Sequence, residues 1–141
     1  MKRRDFLKSA SALSTGLVIL PSGTLSGANA AGNKLNIALI GAWAWGRANS
    51  YEKTLKTQNV MAICDVDEDH LDYAQERYPG AKRYVDWHKC LEQKDIEAVV
   101  CATPDHTHAF IANWAMNRGY HVYCEKPLAN SVEEARVVQA I

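Results

Sequence analysis

The chain has 141 residues, room for one core-forming domain and little more. A hydrophobic share of 48% and a charged share of 23% exclude a disordered or collagen-like chain. Sixteen basic and sixteen acidic side chains balance overall, but Lys2, Arg3, Arg4 and Lys8 crowd the first eight residues. Residues 31–141 therefore carry 12 basic against 15 acidic groups, which does not suit a nucleic-acid surface.

Residues 1–30 read as an address rather than as part of the fold. The basic head KRRDFLK is followed by a modest apolar stretch, Ala10–Leu20, then Pro21 and the small-residue end Ala28-Asn29-Ala30, which suits an A-x-A cleavage site. The apolar run is too short to span a bilayer stably. Arg3-Arg4 with Phe6-Leu7-Lys8 resembles a twin-arginine export signal, with Lys2 where that signal usually has Ser or Thr. The expectation is a periplasmic or exported protein that meets the twin-arginine machinery. That route carries proteins that have already folded.

From residue 31 onward strands alternate with helices. Leu35–Ile40 is almost continuously apolar, the mark of a strand covered on both faces. Gly41 ends it, and Gly46 to about Thr57 reads as the first helix. Val60–Cys64 is a second strand ending on Asp65. Asp67–Tyr78 is helical, with Leu71, Tyr73, Ala74 and Tyr78 as packing residues, and Pro79-Gly80 stops it. Lys82–Val85 is a short strand, and Asp86 can cap a short helix over Trp87–Gln93. Ile96–Ala102 is a fourth strand. Asp105–Arg118 is a helix with Phe110, Ile111, Trp114 and Ala115 inward, closed by Gly119. Tyr120–Cys124 is a fifth strand, and Ser131 with Glu134 forms a capping box for a last helix. This order predicts an α/β fold, a Rossmann-like doubly wound parallel sheet in three layers with right-handed crossovers. The last helix reaches Ile141 without a stop signal, so a fragment of a longer protein is expected.

Gly41 and Gly46 are the first and third glycines of a G-x-G-x-x-G turn, placed to feed a helix whose N-terminus faces a pyrophosphate. Asp65, 19 residues past Gly46, stands where a carboxylate accepts from a ribose 2′-hydroxyl and repels a 2′-phosphate, favouring NAD over NADP. Trp43 occupies the position of the second glycine, where the indole either crowds the cofactor or stacks on it; retained but altered binding is the expectation. Trp45 and Arg47 complete the expected phosphate turn. Thr103-Pro104-Asp105-His106-Thr107-His108 and Glu125-Lys126-Pro127 follow the fourth and fifth strands, at the edge where open α/β sheets bind ligands. His106 and His108 are two apart and face apart on a helix, so no metal site is expected. Cys64, Cys90, Cys101 and Cys124 form no C-x-x-C pair; Cys64, Cys101 and Cys124 read as small buried hydrophobes.

Taken together, residues 34–141 resemble the N-terminal domain of the Gfo/Idh/MocA oxidoreductases. The most specific part is ATPDHTHAFIANWAMNRGYHVYCEKPL, similar to the family's T-P-N-x-x-H segment, helix, G-K-H-V strand and E-K-P. Asp105 stands for the usual Asn, and Tyr120 for the Lys of G-K-H-V. The resemblance implies that Lys126 is the active-site lysine, contacting substrate and nicotinamide. Pro127 would shape its turn, often with a cis peptide before it. Thr103, Pro104 and His108 would lie along the cofactor, and Asp65 would hold the adenosine ribose. It further implies hydride transfer between a sugar- or polyol-like hydroxyl and a nicotinamide dinucleotide. The full-length protein would then be a homo-oligomer. The family's C-terminal α/β domain is absent from these residues, so the chain alone is expected to be inactive. An NAD-dependent glycosidase of the same family and a noncatalytic domain with a decayed cofactor site are the alternatives.

Overall fold

The structure is a computed structural model describing residues 34–42 and 55–141. The expected export signal, the first helix up to residue 54 and the turn residues Trp43, Trp45, Gly46 and Arg47 lie outside the described residues.

Five strands form one all-parallel sheet: β1 (Asn36–Ile40), β2 (Asn59–Cys64), β3 (Lys82–Tyr84), β4 (Ala98–Cys101) and β5 (His121–Cys124), in spatial order β3-β2-β1-β4-β5. The order reverses between β1 and β4, the switch point of a doubly wound sheet. The connections are the helices α1 (Glu68–Arg77), α2 (Trp87–Leu91) and α3 (His108–Met116), with α4 (Val132–Gln139) following β5.

Alternation along the central strands sends side chains to opposite faces, and each face builds its own core. Ile37, Leu39, Ile63 and Val100 pack with Leu55 and with Leu71 and Ala74 of α1. Ala38, Ile40, Ala62, Val99 and Cys101 pack with Cys90 and Leu91 of α2 and with Ile111 and Ala115 of α3. Both faces of β1 and β4 are buried, which is why their sequences are apolar without a period of two.

Local signals set the helix starts. Asp67 and Asp86 cap α1 and α2, accepting from Asp69 N–H and His88 N–H at 2.9 Å each. At α4, Ser131 Oγ accepts from Glu134 N–H at 3.1 Å, while the Glu134 carboxylate accepts from Asn130 N–H at 2.8 Å, one residue earlier than a reciprocal box requires.

The helix expected over Asp105–Arg118 begins differently. Asp105–Thr107 is a 3-10 turn, and α3 starts at His108 with no side-chain cap. Pro104 explains this, since its φ of −57° and ψ of 142° keep the chain extended just before the turn. The later start rotates the inward face: His108, Ala109, Ile111, Ala112 and Ala115 are buried, whereas Phe110, expected inward, is 62% exposed.

Candidate functional site

The ladder bonds continue one residue past each strand and bring the interesting residues to a single edge. Gly41 N–H donates to Cys64 C=O at 2.8 Å, Ala102 N–H to Ile40 C=O at 2.8 Å, and Glu125 N–H to Cys101 C=O at 2.9 Å. The residues after β1, β2, β4 and β5 thus share the carboxyl edge and surround a cavity of about 790 Å³. Gly41, Asp65, Thr103, Pro104, His108, Glu125, Lys126 and Pro127 all line it.

Gly41 has φ +86°, a conformation side chains rarely adopt. A Cβ here would lie 2.6 Å from the carbonyl carbon and oxygen of Ala102 and 2.7 Å from Thr103 N. The bare glycine lets β1 turn out against the backbone leaving β4, which sets the floor of the cavity.

Asp65 was expected to hold a ribose. Its carboxylate first holds the turn: Oδ2 accepts from Ala42 N–H at 2.8 Å, and Oδ1 from Asp67 N–H at 3.1 Å. The His70 ring lies 3.2 Å from Oδ1, and the Asp65 side chain is only 11% exposed. An ionised carboxylate has about four acceptor positions, so Oδ2 retains capacity toward the cavity. His70 went unnoticed in sequence. Its only signal is its place in α1, five residues past the acid, where the first turn folds back over the strand end.

His108, expected along the cofactor, is held by backbone on both sides of its ring. It touches the cavity but is only 2% exposed, the one buried polar residue among the described residues. Nδ1 lies 2.7 Å from Pro127 C=O and Nε2 2.7 Å from Thr103 C=O. The ring therefore joins the turn after β4 to the turn after β5. Lys126, next to Pro127 in the second of these turns, is exposed, and the Lys126–Pro127 peptide is cis, as the resemblance implied.

Beneath these turns Cys101 and Cys124 face each other across the β4–β5 register, and all four cysteines are free thiols. A hydrogen bond from Cys124 pulls the Cys101 thiol below the ordinary thiol range, to about 6, against the opposing effect of burial. Thr103 and the charge of His108 act in the same direction as Cys124. Cys124 is pushed up by its bond to Cys101 and by burial. Cys101, His108 and Cys124 offer three soft ligand atoms within 4.8 Å of one another, a cluster the sequence reading did not foresee. Both imidazole nitrogens, however, point at carbonyl oxygens. The ring presents no lone pair to an ion in this arrangement.

The residues present fit a dinucleotide. The cavity lies at the β1/β4 switch point, its volume falls in the range of small-ligand clefts, and an acid at the end of β2 faces it. A family model described as "Oxidoreductase family, NAD-binding Rossmann fold" matches residues 35–141 and names NAD as the cofactor of this domain. Inositol 2-dehydrogenase of Salmonella typhimurium is 32% identical over 109 residues, covering 76% of this chain and 32% of that protein. A glycosyl hydrolase family 109 protein of Stenotrophomonas maltophilia is 33% identical over 137 residues, covering 89% of this chain and 29% of that protein. The crystal structure of an oxidoreductase domain protein from Kribbella flavida superposes with a TM-score of 0.66 at 33% identity, covering 76% of this chain and 31% of that one. The chain spans about a third of the length of the curated relatives it matches. Since that family model spans most of the chain and the sheet order is that of a doubly wound fold, the chain belongs to the Gfo/Idh/MocA oxidoreductase family and carries its NAD-binding Rossmann domain.

Proposed function

We propose that this chain is the nucleotide-binding part of an exported oxidoreductase that acts on a sugar- or polyol-like hydroxyl. The observation that carries the reading is the single cavity at the carboxyl edge, where Gly41, Asp65, Thr103 and the Glu125–Pro127 turn converge. Bound NAD supplies a hydride acceptor. Asp65 favours a ribose diol over a 2′-phosphate, since its carboxylate and that of Asp67 both line the rim. Lys126, exposed at the mouth, would hold the substrate hydroxyl and ease its proton loss as the hydride leaves. The inositol 2-dehydrogenase relative supports a polyol substrate. The twin-arginine-like head and the A-x-A end support export.

A second reading has its own support. The match to the glycosyl hydrolase family 109 protein covers 89% of the chain, past the 76% covered in the dehydrogenase match. A transient oxidation at a sugar carbon would use the same cavity. In a version extended by a second domain, net NADH formation on polyols supports the dehydrogenase, and glycoside cleavage without NADH accumulation supports the glycosidase.

The direct test is calorimetric titration of the 141-residue chain with NAD and with NADP. NAD should bind, with NADP weaker by about tenfold or more, and Asp65→Asn should narrow that ratio. No heat with NAD, together with heat in Trp43→Gly, would establish the decayed-site alternative instead.

A further inference from the structure

His108 is placed where a neutral imidazole cannot satisfy both of its contacts. A neutral ring has one N–H and one bare nitrogen. Carbonyl oxygens only accept, and here one stands 2.7 Å from each nitrogen. With one proton on the ring, the second contact would set lone pair against lone pair inside a site that is 2% exposed. With a proton on each nitrogen, both contacts become short, charge-assisted hydrogen bonds.

We propose that His108 is held as an imidazolium that donates from both ring nitrogens, to Pro127 C=O and to Thr103 C=O, and is thereby the positioning residue that fixes the Lys126 turn against the Thr103–Pro104 turn across the cavity. Its role toward Lys126 rests on the dinucleotide reading; its charge does not.

The surroundings bear on the charge from every side. From β4, the Cys101 sulfur lies within 4.8 Å of the ring's ligand atom and can act as counter-charge, with Thr103 Oγ1 at 3.4 Å from that sulfur. From β5, Cys124 shares the same cluster as a thiol donor. The following turn carries one acid and one base, Glu125 and Lys126, on the same rim. Against the charge stands the start of α3, since His108 is the first residue of that helix and a helix N-terminus disfavours a cation. Two carbonyl acceptors in direct contact outweigh a dipole end spread over a whole turn. The same geometry explains why a His occupies this buried position: Asn, Gln or Leu could not reach both carbonyls with a rigid two-ended donor.

The test is NMR on the full chain with ¹⁵N-labelled histidine and ¹³C-labelled carbonyls. Replacing His70, His88, His106 and His121 by Gln one at a time removes one ring signal each, and the signal surviving all four is that of His108. At pH 7 both of its nitrogens should show the shift of a protonated ring nitrogen. Each should also show scalar coupling across a hydrogen bond, one to the Thr103 carbonyl carbon and one to that of Pro127. A bare ring nitrogen, or coupling to only one carbonyl, overturns the proposal, as does a cadmium–thiolate absorption band formed with loss of a ring N–H on adding Cd²⁺. For the positioning role, His108→Gln should weaken NAD by about tenfold and shift the Lys126 side-chain resonance. An unchanged Lys126 resonance in a folded His108→Gln chain overturns the positioning role. If NAD fails to bind the unsubstituted chain, the functional reading falls while the couplings still decide the charge.

Discussion

Gly41 is the residue whose identity the structure explains most completely. Its positive φ and the 2.6 Å approach of the Ala102 carbonyl group leave no room for a side chain. Gly41→Ala should therefore cost on the order of 2–4 kcal/mol through strain and overpacking, read as a lower urea midpoint at unchanged slope. Gly80, where a Cβ would meet nothing within 4 Å, is the matched control. Cys101 supplies the pH dependence. Its thiol is lowered in the fold from 9.0 to about 6, so its contribution to stability is present above pH 9 and is lost as pH falls through about 6. Cys124 is raised, so the fold prefers its thiol, and that contribution is lost as pH climbs past the ordinary thiol value. The urea midpoint should accordingly rise between pH 6 and 9 on this account. Cys101→Ala should flatten that rise and abolish the thiolate absorbance that appears near pH 6 in the folded chain.

At the scale of elements, the caps were the most legible features. Asp67, Asp86 and Ser131 each sit one residue before a helix and each accept a backbone N–H of its first turn. A short polar side chain before a helical run has few other partners, so sequence position nearly dictates the contact. Asp67→Ala should destabilise the chain by about 1 kcal/mol, measured by thermal unfolding. Replacing Glu134 by Ala should cost less, because its carboxylate serves Asn130 N–H rather than the cap residue itself. The start of α3 was not legible. The helix was expected to begin at Asp105, whose Oδ1 accepts from the adjacent His106 N–H at 3.1 Å rather than capping a helix. Pro104 and the 3-10 turn then delay the helix to His108. Ile111 and Ala115 stay inward as expected and Trp114 still packs on the core, so the buried stripe shifts only toward His108, Ala109 and Ala112 and leaves Phe110 outside it.

At the scale of the molecule, two cores lie on the two faces of one sheet and differ in what they demand. Ile111 is 1% exposed in the face that also holds Cys101, and Phe110 beside it is 62% exposed. Ile111→Ala should cost about 2–5 kcal/mol, whereas Phe110→Ala should stay within about 0.5 kcal/mol, both by denaturant titration. A cost at Phe110 as large as that at Ile111 would mean that the helix sits as the sequence periodicity suggested.

Sequence by itself determined the parallel sheet, the order of its elements, most of the caps and the edge at which the cavity lies. Those follow from the runs of apolar residues, the glycine and proline punctuation and the short-range reach of capping side chains. The T-P-D-H-T-H and E-K-P stretches could be placed at one edge for the same reason, since each follows a strand. Tertiary structure alone decided what the side chains there do. Asp65 reaches back 23 residues to Ala42 N–H, and His108 reaches forward 19 residues to Pro127 C=O. No local pattern encodes such contacts, because they depend on how β1, β2, β4 and β5 are stacked in the sheet rather than on spacing along the chain. His108 was read in sequence as a group along the cofactor; the packed turns show that it is also a buried tie between the two loops that border the cavity.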